Sequence, residues 1–139
     1  MPQPIQVSGE HVDMSPRFFF SQAVAGSPAT NEEHIICTLT LANDLAVVKG
    51  VLLEGWFSFT VGTSGVTATT KIRQTNAAGA TIATSGAQTV VATNVLTVGI
   101  QGIDTAPASS AQVYVMTLTI GSGAAGSTVS AAVLQAIVL

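Results

Sequence analysis

The side chains that could support catalysis or bind a metal are few and scattered. They are both histidines, the single cysteine, the single tyrosine and the acidic residues: His11, His34, Cys37, Tyr114, Glu10, Asp13, Glu32, Glu33, Asp44, Glu54 and Asp104. A metal site normally needs several such ligands at a regular spacing. Glu10-His11-x-Asp13 comes closest, but it lies in a proline-flanked N-terminal segment and is better interpreted as a solvent-exposed arm. We therefore predict no metal site.

A second cluster, Glu32-Glu33-His34, stands at the start of a predicted strand. Neighbouring residues of a strand point to opposite faces, so these three side chains are not expected to converge. Cys37 follows His34 by three residues and is predicted on the opposite face, in an apolar row where a free cysteine behaves as a small hydrophobe.

Nucleophilic catalysis requires a base beside the nucleophile, and the sequence shows no such pair. Ser64 lies in Gly-Thr-Ser-Gly, which departs from the G-x-S-x-G pattern and is not followed by a helix. A hydrolase that uses Asp104 or Glu54 in a carboxylate pair stays open, although no pattern favours one. We predict that the protein is not an enzyme and has no catalytic residue and no cofactor.

Trp56 is the candidate ligand contact. It falls on the more polar face of its predicted strand, between Glu54 and Ser58. Sugar-binding sandwiches often present an aromatic ring on such a face. The interpretation we favour is burial of the ring against a second sheet or another subunit.

The elements that would position these residues are strands. From His34 onward the apolar residues alternate with polar ones, which indicates strands with one buried face. The first predicted strand places Ile35, Cys37, Leu39 and Leu41 on one face. The next places on one face Val51, Leu53, Phe57, Phe59 and Val61.

Turn signals separate seven or eight such strands at roughly ten-residue spacing, with no convincing helix. Asn43-Asp44 is one predicted turn, and Ser85-Gly86 is another, between short strands at 81–84 and 88–91. The pattern predicts an all-β fold, an antiparallel two-sheet sandwich, with a jelly roll as the expected form.

Residues 1–30 differ from the predicted sandwich domain at 31–139, because they are rich in proline and carry the cluster Phe18, Phe19 and Phe20. We interpret residues 1–15 as an arm. Phe18–Val24 is either a first core strand or a set of anchors that docks on a neighbour, and both remain open. The apolar last strand needs cover as far as Leu139. We therefore take Phe18, Phe19, Phe20 and Leu139 as candidate contacts with other subunits or with a particle.

Composition limits the possible partners. Charged residues make up 8% of the chain, against roughly a quarter in ordinary soluble domains. Four basic residues are too few for a nucleic-acid footprint or a basic membrane patch, and Lys71 and Arg73 are predicted on a solvated strand face. A single cysteine excludes an intrachain disulfide. The first residues lack a signal peptide's features, so synthesis in the cytoplasm is expected. A surface so poor in charge suits subunit packing.

The stretch 51–139 carries a family likeness. Its pieces are LLEGWFSF, TKIRQTN followed by AG, ATSGAQTV, GIDTAP and VYVMTLTI, then a small-residue loop and a final apolar strand. This texture resembles small virion structural proteins of tailed bacteriophages. The resemblance implies a jelly-roll homo-oligomer, often a trimer, that decorates or reinforces a capsid as a decoration or minor capsid protein. It implies no catalytic residues. The alternative is a carbohydrate- or receptor-binding β-sandwich module.

Overall fold

The computed structural model describes residues 18–23, 31–41, 49–62, 65–108, 111–121 and 126–139, and for 18–23 it describes the backbone only. The turn predicted at Asn43-Asp44 and the residues Glu10, His11, Asp13 and Ser64 lie outside these ranges. The described residues contain no helix long and apolar enough to cross a membrane.

The described residues form eight antiparallel strands. Their bounds are β1 Phe18–Ala23, β2 Glu33–Leu41, β3 Val51–Thr60, β4 Val66–Gln74, β5 Thr81–Val90, β6 Val95–Asp104, β7 Gln112–Ile120 and β8 Thr128–Val138. Sheet A has the order β1-β8-β3-β6, and sheet B has the order β2-β7-β4-β5. The predicted all-β sandwich is confirmed.

The strand order is that of a jelly roll. The pairs β1–β8, β2–β7, β3–β6 and β4–β5 are those of one long antiparallel hairpin, which is rolled so that its strands fall into two facing sheets. The core lies between the sheets, where the alternating apolar rows of the two inner faces meet.

Strands β3 and β7 follow the alternation that the sequence predicts. On β3 the inner row is Val51, Leu53, Gly55, Phe57 and Phe59, and the outer face of sheet A carries Leu52, Glu54, Trp56 and Ser58. On β7 the inner row is Tyr114, Met116, Leu118 and Ile120. On the other face of β7, Val115 and Thr117 are buried as well. Large side chains at every second position of β3 explain why that strand tolerates only one orientation, because a one-residue slip would expose the whole row.

Strand β2 breaks the predicted alternation at a β-bulge between Ile35 and Cys37, where Ile36 is the extra residue. Ile36 is therefore in the core at 4% exposure, whereas Ile35, which was predicted to be buried, is 48% exposed. The bulge also places His34 and Cys37 opposite Leu118 and Met116, two residues apart on β7. His34 and Cys37 therefore lie on the same face of β2, and the prediction that they lie on opposite faces was wrong.

Strand β5 is continuous through the turn predicted at Ser85-Gly86. Between the pairs Thr69–Ala87 and Lys71–Thr84, two β5 residues face the single residue Thr70. Gly86 takes a φ of +71°, a conformation that glycine adopts at little cost, and the Thr70 amide donates to Ser85 Oγ at 3.0 Å. The glycine serves a bulge within one strand, so the prediction of two short strands was wrong.

Of the two interpretations of residues 18–24, the backbone supports a strand, because β1 pairs with β8 from Phe18–Ile137 to Ala23–Ala132. A docking role for Phe18, Phe19 and Phe20 stays a prediction. The boundary at residue 30 and the arm at 1–15 fall outside the described residues.

Candidate functional site

The outer face of sheet A carries a row of hydrogen-bonded polar side chains across three strands. Glu54 on β3 stands opposite Gln101 on β6 and Gln135 on β8. Gln101 Nε2 donates to Glu54 Oε1 at 2.9 Å, and Gln135 Nε2 donates to Glu54 Oε2 at 2.6 Å. The two amides therefore hold the carboxylate in one orientation in the middle of the sheet.

Beside this row lies an open concavity of about 270 Å³, lined by Glu54, Gly55, Trp56, Gly99, Ile100 and Gln101. Trp56 is 43% exposed, and its strand neighbours are Gly99 on β6 and Val133 on β8. A Cβ at Gly99 would meet nothing within 4 Å. The hollow thus exists because a glycine stands opposite the largest side chain of the face. The interpretation favoured from sequence was burial of Trp56 against a second sheet or another subunit. Burial against the second sheet was wrong, and contact with another subunit stays a prediction.

A second polar cluster lies on sheet B. Glu33 of β2 accepts hydrogen bonds from Arg73 Nε at 2.6 Å and Arg73 Nη2 at 2.9 Å, while Thr117 Oγ1 donates to it at 2.6 Å. Lys71 Nζ lies 3.7 Å from the same carboxylate. The Arg73 hydrogen bonds are the main reason why the pKa of Glu33 falls from 4.5 to about 2. Burial opposes them, and Thr117 and the charges of Arg73 and Lys71 assist.

The bidentate Arg73 contact has the geometry of a strong, charge-assisted pair. Arg73 also donates to the Gly79 carbonyl and to Thr81 Oγ1, and its side chain is only 15% exposed. The prediction of a merely solvated strand face was therefore wrong for Arg73, whereas the Lys71 side chain is 29% exposed. The Arg73 donors bind groups of the protein itself, and Lys71 adds an ion pair, so we assign this cluster a structural function.

A third cluster is buried between the sheets. Asp104, at the end of β6, is 3% exposed and accepts hydrogen bonds from Tyr114 Oη at 2.8 Å and Gln74 Nε2 at 2.6 Å. Its other oxygen accepts from the Ala106 amide at 3.0 Å. Burial first, and then the Asp104 carboxylate, raise the pKa of Tyr114 far above its usual value. The cluster joins β6 of sheet A to β4 and β7 of sheet B.

The structure does not bring together the residues considered for catalysis. Glu54 lies on the outer face of sheet A, whereas Asp104 is buried on the inner face, so these two do not form a carboxylate pair. Cys37 is buried. Glu32 extends into solvent 3.8 Å from His34, while Glu33 turns to Arg73. Within the described ranges, no group of three or more His, Cys, Asp or Glu residues could hold a metal.

Leu139 is 46% exposed, but its backbone is fixed: its amide donates to the Gly50 carbonyl at 2.9 Å, and its carbonyl accepts from the Lys49 amide at 3.2 Å. Contact of this side chain with another subunit stays a prediction.

The sequence singled out Glu54 and Trp56 but missed Gln101, Gln135 and Gly99. Their only signal is the strand register, which the sequence of β3 alone does not contain.

No protein-family model and no curated protein matches the chain. Among solved structures, it is similar to a chain of "Structure of infectious bursal disease virus Gx strain", with a TM-score of 0.50 and 15% identity. That match covers 87% of this chain and 29% of the viral one, so the chain spans less than a third of its neighbour. It also matches a chain of "CBM4 structure and function", with a TM-score of 0.33, 15% identity and coverages of 86% and 71%. The viral likeness shows a shared fold, and the second is too distant to support an argument.

Proposed function

We propose that the chain is a structural subunit of a virion, an oligomeric capsid decoration or minor capsid protein of a bacteriophage. The observation that carries the proposal is the eight-strand jelly-roll topology, a fold found in viral capsid proteins. The match to the viral structure extends over 87% of this chain. The proposal includes no catalytic step, nucleic acid or membrane.

The surface supports contacts between subunits. Large apolar side chains are exposed at several places, namely Ile35, Trp56, Val91, Val95, Ile103 and Leu139. Ile103 and Leu139 lie together near Gly50, at one end of sheet A. Exposed apolar groups that adjoin one another are typical of interaction surfaces. In the proposed assembly, copies of the chain cover them as a homo-oligomer, with a trimer favoured, that contacts capsid or tail proteins in the virion.

The test is the mass of the full chain in solution by light scattering. We expect a stable oligomer that is a multiple of the 14.0 kDa chain. A second measurement on a chain without residues 1–17, which keeps β1, shows whether the predicted arm contributes to assembly. A monodisperse monomer at micromolar concentration would overturn the proposal.

A second candidate is a carbohydrate- or receptor-binding module. The specific observation in its favour is Trp56, which is half exposed over an open hollow and not packed under a second sheet. A monomer that binds saccharide would favour this candidate over the virion subunit, whereas an oligomer that binds none would favour the first.

A further inference from the structure

We infer that the hollow between Trp56 and Gly99 is a binding site for a neutral pyranose saccharide, with Glu54 and Gln101 as its hydrogen-bonding groups. The inference deepens the binding-module candidate by naming the ligand class and the atoms. It does not depend on the virion proposal, because a subunit of a particle and an independent module could each carry such a site.

Trp56 supplies the apolar half of the site. The face of a pyranose ring presents C–H groups that pack on an aromatic ring, and an indole offers the largest such surface among the side chains. Neighbouring strands normally cover a ring on a sheet face with their own side chains. Here the β6 neighbour is Gly99, so that side of Trp56 lies open. The volume of about 270 Å³ is just below the roughly 300 Å³ at which small-molecule sites begin, which suits one sugar ring.

The polar row supplies the other half. A sugar hydroxyl both donates and accepts, so it is best bound where a fixed acceptor and a fixed donor lie side by side. Glu54 uses one lone pair of each oxygen for a glutamine and has others left to accept from hydroxyls. Gln101 lines the same hollow, and within the described residues its amide oxygen accepts no hydrogen bond. Because Gln101 and Gln135 fix the carboxylate, a ligand does not have to order it.

The charge pattern selects for a neutral ligand. Lys71 and Arg73 lie on sheet B and are committed to Glu33. Lys49 precedes Glu54 by five residues, which is about 17 Å along an extended strand. Among the described residues, therefore, no cation stands beside the hollow to offset the Glu54 carboxylate. A uronic acid, a sialic acid or a phosphate would meet repulsion there, whereas a neutral hexose would not.

The experiment uses the tryptophan itself as the reporter, because Trp56 is the single tryptophan of the chain and its fluorescence reports this site alone. The full chain is titrated with glucose, galactose, mannose, N-acetylglucosamine and their disaccharides, and with glucuronate as the charged comparison. Saturation-transfer NMR on the same samples identifies the bound sugar protons. We expect at least one neutral saccharide to shift the fluorescence saturably at millimolar concentration, and glucuronate to bind at least about tenfold more weakly.

The deciding variant is Gly99→Val. Its side chain enters open space on a strand where β-branched residues are favoured, so the fold is retained while the hollow is filled. We expect it to weaken binding at least about tenfold, and we expect Thr97→Val, two residues away on the same face of β6, to bind as the wild type does. Glu54→Gln, which keeps the shape of the row, should weaken binding severalfold.

The inference is overturned when no saccharide of the panel binds the wild type, when Gly99→Val binds as well as the wild type, or when glucuronate binds as tightly as the best neutral saccharide. Light scattering of Gly99→Val tests whether the hollow is occupied by a second copy of the chain and not by a saccharide. A lower mass for this variant alone would assign the hollow to a subunit interface and would also overturn the inference. An oligomer that binds no sugar contradicts only the saccharide site, whereas a monomer that binds sugar contradicts only the virion proposal.

Discussion

The Glu33 cluster shows how a chain with few charges uses them. Glu33 on β2 reaches across β7 to Arg73 and Lys71 on β4, and Thr117 of the intervening strand donates to the same carboxylate. Exposed ion pairs contribute little to stability, but this carboxylate accepts two guanidinium hydrogen bonds and one hydroxyl hydrogen bond in a partly buried position. Three of the four strands of sheet B are linked through one side chain.

We predict that the Glu33 cluster makes the free energy of unfolding decrease as the pH falls below 4.5. The pKa of Glu33 is about 2 in the fold against 4.5 ordinarily, so the unfolded chain binds the proton first as the pH falls. The contribution of Glu33 is therefore fully present above pH 4.5 and is lost between pH 4.5 and about 2. Glu33→Gln should lower the free energy of unfolding by about 1–2 kcal/mol at pH 7 and flatten its decline in that window. Urea denaturation at pH 7 and pH 3 measures both effects.

Glu32→Gln is the matched control, because Glu32 is the preceding residue and its side chain is 72% exposed. It should leave the free energy of unfolding at pH 7 within about 0.5 kcal/mol of the wild type. Equal losses in the two variants would show that the hydrogen bonds of Glu33 carry no stability of their own.

At the scale of the element, the bulge in β2 decides which of two adjacent isoleucines supports the core. Ile36 packs inside and Ile35 faces out, although the alternation around them predicts the reverse. Ile36→Ala should therefore cost about 2–4 kcal/mol through the cavity it leaves, and Ile35→Ala less than about 1 kcal/mol. Thermal and urea unfolding of the two variants compares them directly. A larger loss at Ile35 would mean that β2 pairs with β7 without the bulge.

Two glycines of sheet A, Gly55 and Gly99, differ in the space that an added side chain would find. A Cβ at Gly55 would come within 2.6 Å of Met116 Sδ in the core, whereas a Cβ at Gly99 would meet nothing within 4 Å. Gly55→Ala should cost about 1–3 kcal/mol through overpacking, in part relieved because methionine is flexible. Gly99→Ala should be neutral or stabilise by up to about 1 kcal/mol. A neutral Gly55→Ala in urea unfolding would show that Met116 has room to move aside.

The alternation of the sequence was sufficient to predict β3, because large apolar residues at every second position leave one possible orientation. On β7 it predicted the inner row, but not the burial of Val115 and Thr117 on the other face. It failed at the bulges of β2 and β5, because a bulge depends on the partner strand as much as on its own residues. Only the part of the candidate site that lies on β3 could be predicted from the sequence. Glu54 and Trp56 share one strand, but Gln101, Gln135 and Gly99 come from strands whose position beside β3 follows from the jelly-roll order.

At the scale of the whole molecule, the outer edges of β5 and β6 differ. The edge of β5 in sheet B is interrupted by the bulge at Ser85-Gly86. In sheet A, β6 pairs with β3 without a register shift, and the strand carries no charged residue or proline from Val95 to Ile103. Bulges, charges and prolines are the usual protection of an edge, so of these two edges the one of β6 is better suited to pair with another chain.

We predict that a lysine on β6 weakens self-association. Thr97→Lys should weaken association at least about tenfold with little change in stability, because a charge on an unpaired edge opposes strand addition. Thr89→Lys, an exposed threonine on the bulged strand β5, is the control and should leave association unchanged. Light scattering over a concentration series measures both. The opposite ranking would place the contact on sheet B.

The position of β8 has a consequence for how the chain reaches its fold. β8 lies between β1 and β3, with Ile137 opposite Phe18 and Val138 opposite Val51, so sheet A is divided until the eighth strand has been synthesised. Contacts so distant along the chain slow folding, into the millisecond-to-second range for sandwiches of this kind. Until then β1 and β3 each have an edge that is not paired with β8. These edges can pair with a wrong strand or with another chain. Completion of sheet A during synthesis therefore waits for β8.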